Sequence, residues 1–425
     1  MRTRFAFLTL ALATPLVAQP AQKVIPPETV YWLSAATQSG FGTTMGADPS
    51  AMMRMAMGGS GAAVKLLELD LGSKRSAAGA PAAFHAIPPG MQMGASLPLR
   101  SPVAEPVRRG ERRGEPTEPP EDFEPPRGRL LLFWGCGEAA RPGQPVVIDF
   151  AKMAAGQIPP NLFAGERVRI ARPPSDSSWP SYGHWPHDDP TSRRGIPATA
   201  SLLGSHKVTG NYTPDIPFTL SQDWMAPLLL SQTKRPSGAI ALSWNAVPGA
   251  TGHFAQLMGG SEKDEGTVVF WSSSETQTFL SALSDYLAPA EAQRQVASRQ
   301  LLPPSQTSCA IPKEAVAAVD GGILSLVAHG PEVNVIHPPR PSDPKIPWKQ
   351  EWAVKARFVS RTGSILGMDM PAPSAAAASA SGKPKCRPTA GEEAAASVGG
   401  AIAGSLGRGL GRAISRKKPA EDCEP

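Results

Sequence analysis

Cysteine is scarce in this chain of 425 residues, and no two of its four cysteines stand as Cys-x-x-Cys. Redox catalysis and a thiolate zinc site therefore lack their usual spacing. Also missing are a Gly-x-Ser-x-Gly elbow, a His-Glu-x-x-His pair and a phosphate-cradling glycine loop. The common hydrolase and nucleotide-binding signatures are thus absent. No apolar run reaches the roughly 20 residues that a membrane-spanning helix requires. Charge of one sign is only in slight excess, 42 Lys and Arg against 36 Asp and Glu. That balance leaves no footprint for nucleic acid.

Glycine and proline, by contrast, are plentiful: 41 and 47, together 88 residues of 425. This share approaches the roughly 25–30% of disordered sequences and predicts a moderate core carrying long, poorly ordered segments. Arg2 and Arg4, then an apolar run over residues 5–17 and Ala18, read as an export signal over residues 1–18. No cysteine follows the run, which argues against a lipoprotein. The mature chain is expected in the periplasm or outside the cell, where disulfides persist. Four cysteines allow three connectivities. The expected pairs are Cys136 with Cys309 in the folded body and Cys386 with Cys423 in the tail.

Residues 19–101 read as an N-terminal segment with isolated strands at 29–36 (TVYWLSAA) and 64–71 (VKLLELDL). Between them Met45, Met52, Met53, Met55 and Met57 either offer thioethers to Cu(I) or belong to a flexible insert. Residues 75–101 read as irregular coil. Residues 102–128 form a Pro/Glu/Arg linker, extended by proline and by charge. A first β unit follows over 129–233. Its 130–136 run (LLLFWGC) is apolar on both faces, as in a central strand, with a partner at 145–150 and further strands at 168–171 and 207–220. Residues 365–425 form a disordered Ala/Gly/basic tail. There Gly400, Gly404, Gly407 and Gly411 with Arg408, Arg412 and Arg416 would suit peripheral membrane contact. Four glycines between 399 and 407 favour disorder instead.

The best-specified stretch is residues 239–258, AIALSWNAVPGATGHFAQLM. Ile240, Leu242 and Trp244 alternate with Ala241 and Ser243, the period of a half-buried strand. Val247, Pro248 and Gly249 turn the chain. His253, Ala255 and Leu257 then oppose Phe254, Gln256 and Met258 in a second, antiparallel strand. The wording LSWNAVPGATG resembles the B and C strands of fibronectin type III-like modules, with Trp244 as the core tryptophan. His253 stands where such modules often carry Tyr. The resemblance implies a fibronectin type III-like sandwich over residues 236–364, and it carries no activity. Helical spacing at 279–287 and a helix at 289–302, opened and closed by proline, mark an insertion. Strands at 267–272, 323–328 and 352–359 complete the unit. The expected fold is mainly β, two β-sandwich-like units with disordered linkers and tail. The whole chain resembles exported proteins of proteobacteria, which implies a compartment only.

Two places invite a functional reading. The loop WPSYGHWPHDDP, residues 179–190, holds His184, His187, Asp188 and Asp189, a donor set suited to Zn or Cu(II). The competing reading is a proline-stiffened surface loop whose Trp179 and Trp185 pack on the sandwich. The second place is HPPRPSDPKIPWKQE, residues 337–351. The resemblance makes it the loop between the last two strands, often used for recognition. Its prolines hold it extended and reduce the entropy lost on binding. Arg340, Lys345 and Trp348 are the candidate partner-binding residues, unless Trp348 folds back over the sandwich end. The expected function is an exported, non-enzymatic binding or envelope-interaction protein. The alternative is a metal-dependent enzyme or a copper-handling periplasmic protein.

Overall fold

The computed structural model describes residues 22–40, 63–102, 128–157, 167–187, 195–261, 264, 266–278 and 281–368. The expected signal, the methionine cluster, most of the linker, Asp188, Asp189, Cys386, Cys423 and the tail beyond 368 lie outside the described residues.

Mainly β structure results, and nine strands share one mixed sheet. In order across it run Val146–Asp149, Arg129–Trp134, Thr267–Ser272, Gly252–Gly260, Gly321–His337, Trp352–Ile365, Thr29–Gly40, Val64–Ser73 and Ser181–Trp185. Neighbours are antiparallel except at two places. Arg129–Trp134 runs parallel to Thr267–Ser272, and Thr29–Gly40 runs parallel to Trp352–Ile365. Two smaller antiparallel sheets pack on one face. Leu230–Lys234, Ile240–Trp244 and Ser308–Ile311 make a three-stranded sheet. Ile216–Leu220, Gly204–Gly210, Ala83–Ala86 and Ser96–Leu99 make a four-stranded one.

A single large core lies between these layers, because inward positions recur at period two along each strand. Tyr31, Leu33, Leu69, Trp185, Trp244, Leu257 and Trp271 all belong to it. Each fully buried side chain of this size contributes roughly 1.5–3 kcal/mol. On the opposite face the helix Pro289–Ala297 brings Ala292 onto Phe254, together with Leu283, Leu287 and Leu301.

Several expectations are corrected by this topology. The strands of residues 129–233 do not make a sheet of their own. Arg129–Trp134 and Val146–Asp149 extend one edge of the large sheet, whereas Gly204–Gly210 and Ile216–Leu220 pair with Ala83–Ala86 and Ser96–Leu99. The last two lie in the stretch read as coil, and 207–220 is a hairpin rather than one strand. Residues 168–171 pair with nothing as a strand. The N-terminal strands are not isolated, since Thr29–Gly40 sits inside the sheet. Backbone amides left on an open edge seek partners, and pairing over such a sequence distance leaves no local signature. The turn at 247–249 does not close a hairpin. It carries the chain from the three-stranded sheet into the large one. The helix ends at Ala297, and the described part of 279–287 holds a short turn, Ser281–Ser284. The strand expected at 323–328 runs over Gly321–His337, with a bulge between His329 and Glu332.

Cys136 and Cys309 are joined in a disulfide with a sequence separation of 173. It ties the end of Arg129–Trp134 in the large sheet to Ser308–Ile311 in the three-stranded one. Closing a loop of that length is worth about 5 kcal/mol in the chain-entropy account.

Inside the core a polar chain links the large sheet to the four-stranded one. The Tyr31 hydroxyl lies 2.8 Å from His85 Nδ1, and His85 Nε2 lies 3.0 Å from His206 Nδ1. His206 Nε2 ends the chain 2.7 Å from the Leu202 carbonyl. A carbonyl only accepts, so His206 donates from Nε2 and accepts at Nδ1. His85 then donates from Nε2, and Tyr31 donates to His85 Nδ1. Every member is satisfied with both imidazoles neutral. Burial holds His85 well below the usual histidine value, helped by His206, and lowers His206 and His253 too. Burial takes His329 down to about 3.

Depressed histidine values make folding acid-sensitive. Unfolded histidines gain protons near pH 6.5, whereas burial delays protonation of these four in the fold to lower pH, for His329 to about 3. The stabilisation is complete above about pH 6.5 and declines below it, by up to about 1.4 kcal/mol per pH unit for each histidine. Urea midpoints should be flat above neutrality and fall steeply between about pH 6.5 and 5. An unchanged midpoint at the acid end would refute this account of the core.

Candidate functional site

The end of the molecule carrying residues 337–351 is a built structure. Gly321–His337 and Trp352–Ile365 pair antiparallel up to His337 opposite Trp352, whose rings stack with centroids 5.1 Å apart. The connecting loop is joined by an extra strand, because Val24–Ile25 runs parallel to Trp348–Lys349. The Trp348 amide donates to Lys23 O at 2.8 Å, and the Gln350 amide donates to Ile25 O at 3.1 Å. Gln22 acts as a clasp: its amide nitrogen donates to Ile346 O at 2.9 Å, and its amide oxygen accepts from Arg340 Nε at 2.6 Å.

Within this ribbon the Arg340 guanidinium lies over the Trp348 ring, 5.7 Å from its centroid. Trp348 Nε1 donates to Pro338 O at 2.9 Å. Trp348 is half-buried and lies outside the main core. It packs against Arg340 and Pro338 of its own loop. Lys345 is exposed nearby. The structure thus brings Arg340 and Trp348 into contact and leaves Lys345 beside them on the surface. The N-terminal half of the ribbon was not legible in the loop itself, because residues 22–25 are more than 300 positions away in sequence.

At the far edge of the large sheet, Ser181–Trp185 adds to Val64–Ser73 with His184 opposite Asp70. Residues expected to form a loop here form that strand because the edge supplies partners on both sides: Arg100 exchanges backbone hydrogen bonds with His184 at 3.1 and 3.0 Å. Trp185 is buried in the core, and Trp179 lies against Gly72, where any β-carbon would stand 2.7 Å from Pro174 and Trp179. The His184 and His187 rings come together, centroids 5.3 Å apart and planes at 71°. His187 Nε2 donates to Pro98 O at 2.9 Å, and His184 Nδ1 is buried with no hydrogen-bond partner. Among the described residues no three His, Cys, Asp or Glu side chains group as a metal site. Asp188 and Asp189 lie outside the described residues.

Sequence reading missed a third feature. Lys355 and Arg357 alternate with apolar neighbours and look like a wet strand face. Arg357 is only 9% exposed. Its guanidinium lies between the rings of Tyr286, at 4.2 Å, and Trp32, at 5.0 Å. Arg357 Nε donates to Ser34 Oγ at 2.8 Å. Lys355 and Arg361 continue the row over Trp32 and Tyr286, and Lys355 is paired with Glu332. Beside this row Tyr182 donates to Asp70 Oδ1 at 2.7 Å. Burial raises the Asp70 carboxyl above the usual carboxylate range, opposed by the Tyr182 hydrogen bond. The parallel pairing sets Lys355 beside Trp32 and Arg357 beside Ser34, a juxtaposition no local spacing reveals. These cations are pinned by rings and partners, which suits rigid packing of the sheet's outer face rather than proton transfer. No protein-family model, no curated protein and no solved structure matches this chain.

Proposed function

We propose that this chain is an exported, non-enzymatic binding protein that contacts envelope material through the ribbon of residues 22–25 and 337–351. The observation that carries the reading is the clasp of Gln22, Arg340 and Trp348, which fixes an aromatic ring and a cation on a projecting loop. A binding surface held in one shape before contact loses less entropy on contact. The fibronectin type III-like reading is supported by strand order. Leu230–Lys234, Ile240–Trp244 and Ser308–Ile311 face Thr267–Ser272, Gly252–Gly260, Gly321–His337 and Trp352–Ile365. Two antiparallel sheets of three and four strands are the frame of such a sandwich, and the ribbon then joins its last two strands. Export is supported by the basic and apolar N-terminal residues and by the Cys136–Cys309 disulfide, which suits an oxidising compartment.

Replacing Trp348 by Ala tests the reading. The fold should lose only about 1–2 kcal/mol, the worth of one hydrogen bond and one exposed cation–π contact. Attachment of the purified chain to isolated envelope fractions should be lost. A large drop in thermal midpoint with attachment retained would assign Trp348 to packing alone.

One observation favours a second reading, a transition-metal site. His184 and His187 stand side by side, and the His187 bond to Pro98 O is the kind of outer contact that orients a metal-bound imidazole. This reading predicts a stoichiometric Zn or Cu(II) in the purified chain, lost when both histidines become Ala. Metal content far below one per chain, unchanged by the substitutions, would exclude it.

A further inference from the structure

We propose that the same ribbon docks on an anionic lipid bilayer. The proposal rests on the ribbon being the recognition end and names what that end recognises. Three aliphatic side chains stand out on it: Ile346 is 52% exposed, Val24 48% and Ile25 36%. Their backbones adjoin on one ribbon, because Gln22 holds Ile346 O while Val24 and Ile25 pair with Trp348 and Lys349, the side chains of Val24 and Ile25 turning to opposite faces. The same ribbon carries four exposed cations, Lys23, Arg340, Lys345 and Lys349. Two carboxylates, Asp343 and Glu351, share the ribbon with these four cations. Asp343 accepts the Lys345 backbone amide at 2.9 Å, and Glu351 lies 3.9 Å from His337. Among the described residues none of the three lysines forms an ion pair.

Exposed aliphatics interspersed with exposed lysine and arginine match the boundary of an anionic membrane. There apolar side chains enter the acyl region while cations stay among the headgroups. An acidic protein or polysaccharide would engage the cations but leave the three aliphatic side chains in water.

Sedimentation with vesicles tests the proposal. One set contains phosphatidylglycerol and phosphatidylcholine, the other phosphatidylcholine alone. The purified chain should bind the anionic vesicles, bind the neutral ones far more weakly, and be released as salt rises. Ile346→Asp, and Lys345→Glu with Lys349→Glu, should each weaken binding at least tenfold while leaving the thermal midpoint unchanged, since all three positions are exposed. Equal binding to neutral vesicles, no binding to anionic ones, or variants that bind like the parent would each overturn the proposal. Loss of envelope attachment in Trp348→Ala without any vesicle binding would reject the bilayer and leave the ribbon as the recognition end for another component. Retained attachment in Trp348→Ala together with no vesicle binding would reject both.

Discussion

The parallel pairing of Thr29–Gly40 with Trp352–Ile365 holds the two halves of this structure together. Twelve residue pairs, from Trp352 beside Thr29 to Gly363 beside Gly40, join segments more than 300 residues apart. Closing so long a loop is entropically unfavourable, though the cost grows only with the logarithm of its length. Burial on both faces of the pair offsets it. Inward, Tyr31, Leu33 and Ala35 provide the floor on which the four-stranded sheet packs. Farther along the same face, Thr37 and Ser39 donate to Met225 O and Leu228 O at 2.7 and 2.5 Å, and Ser360 donates to Ala226 O at 2.8 Å. These hydroxyls fix the segment that connects the two covering sheets. Outward, the pair sets Trp32 and Ser34 against Lys355 and Arg357.

This dependence explains why polar groups are tolerated so deep in the molecule. The chain from Tyr31 through His85 and His206 to Leu202 is complete in its donors and acceptors, and a completed network avoids the penalty of an unpaired buried group. It also fixes how the four-stranded sheet sits on the large one. Arg357 solves the same problem on the other face, where two rings and the Ser34 hydroxyl replace water around the guanidinium.

Elements whose information is local were legible in the sequence. The alternation in Ile240–Trp244 and in residues 352–359 and the turn at 247–249 could be read from neighbouring residues, and the pairing of Cys136 with Cys309 was expected because both lie in the folded body. Ala83–Ala86 and Ser96–Leu99 could not, because four-residue strands carrying His85 and Pro98 show too few apolar positions to establish a period. The merging of the expected units was equally invisible. Thr29–Gly40 reads as a strand, but nothing in its own residues names Trp352–Ile365 as its neighbour. The candidate ribbon shows the same division. Arg340, Lys345 and Trp348 stood out by residue type and by their place between two strands. Their clasp by Gln22 depends on the N-terminal segment reaching them, and Asp70 meets His184 only because an edge strand forms. Tertiary pairing, rather than composition, assembles both candidate sites.

A continuous sheet also gives the projecting ribbon its foundation. Residues 22–25 reach residues 346–349 because the strand that follows them, Thr29–Gly40, is anchored beside Trp352. Amide hydrogen exchange under native conditions tests this arrangement most directly. If the pairing organises the fold, amides of Thr29–Gly40 exchange as slowly as those of Trp352–Ile365, through global unfolding. Exchange in Thr29–Gly40 orders of magnitude faster than in Trp352–Ile365 would contradict it, showing that the N-terminal strand opens independently of the sandwich.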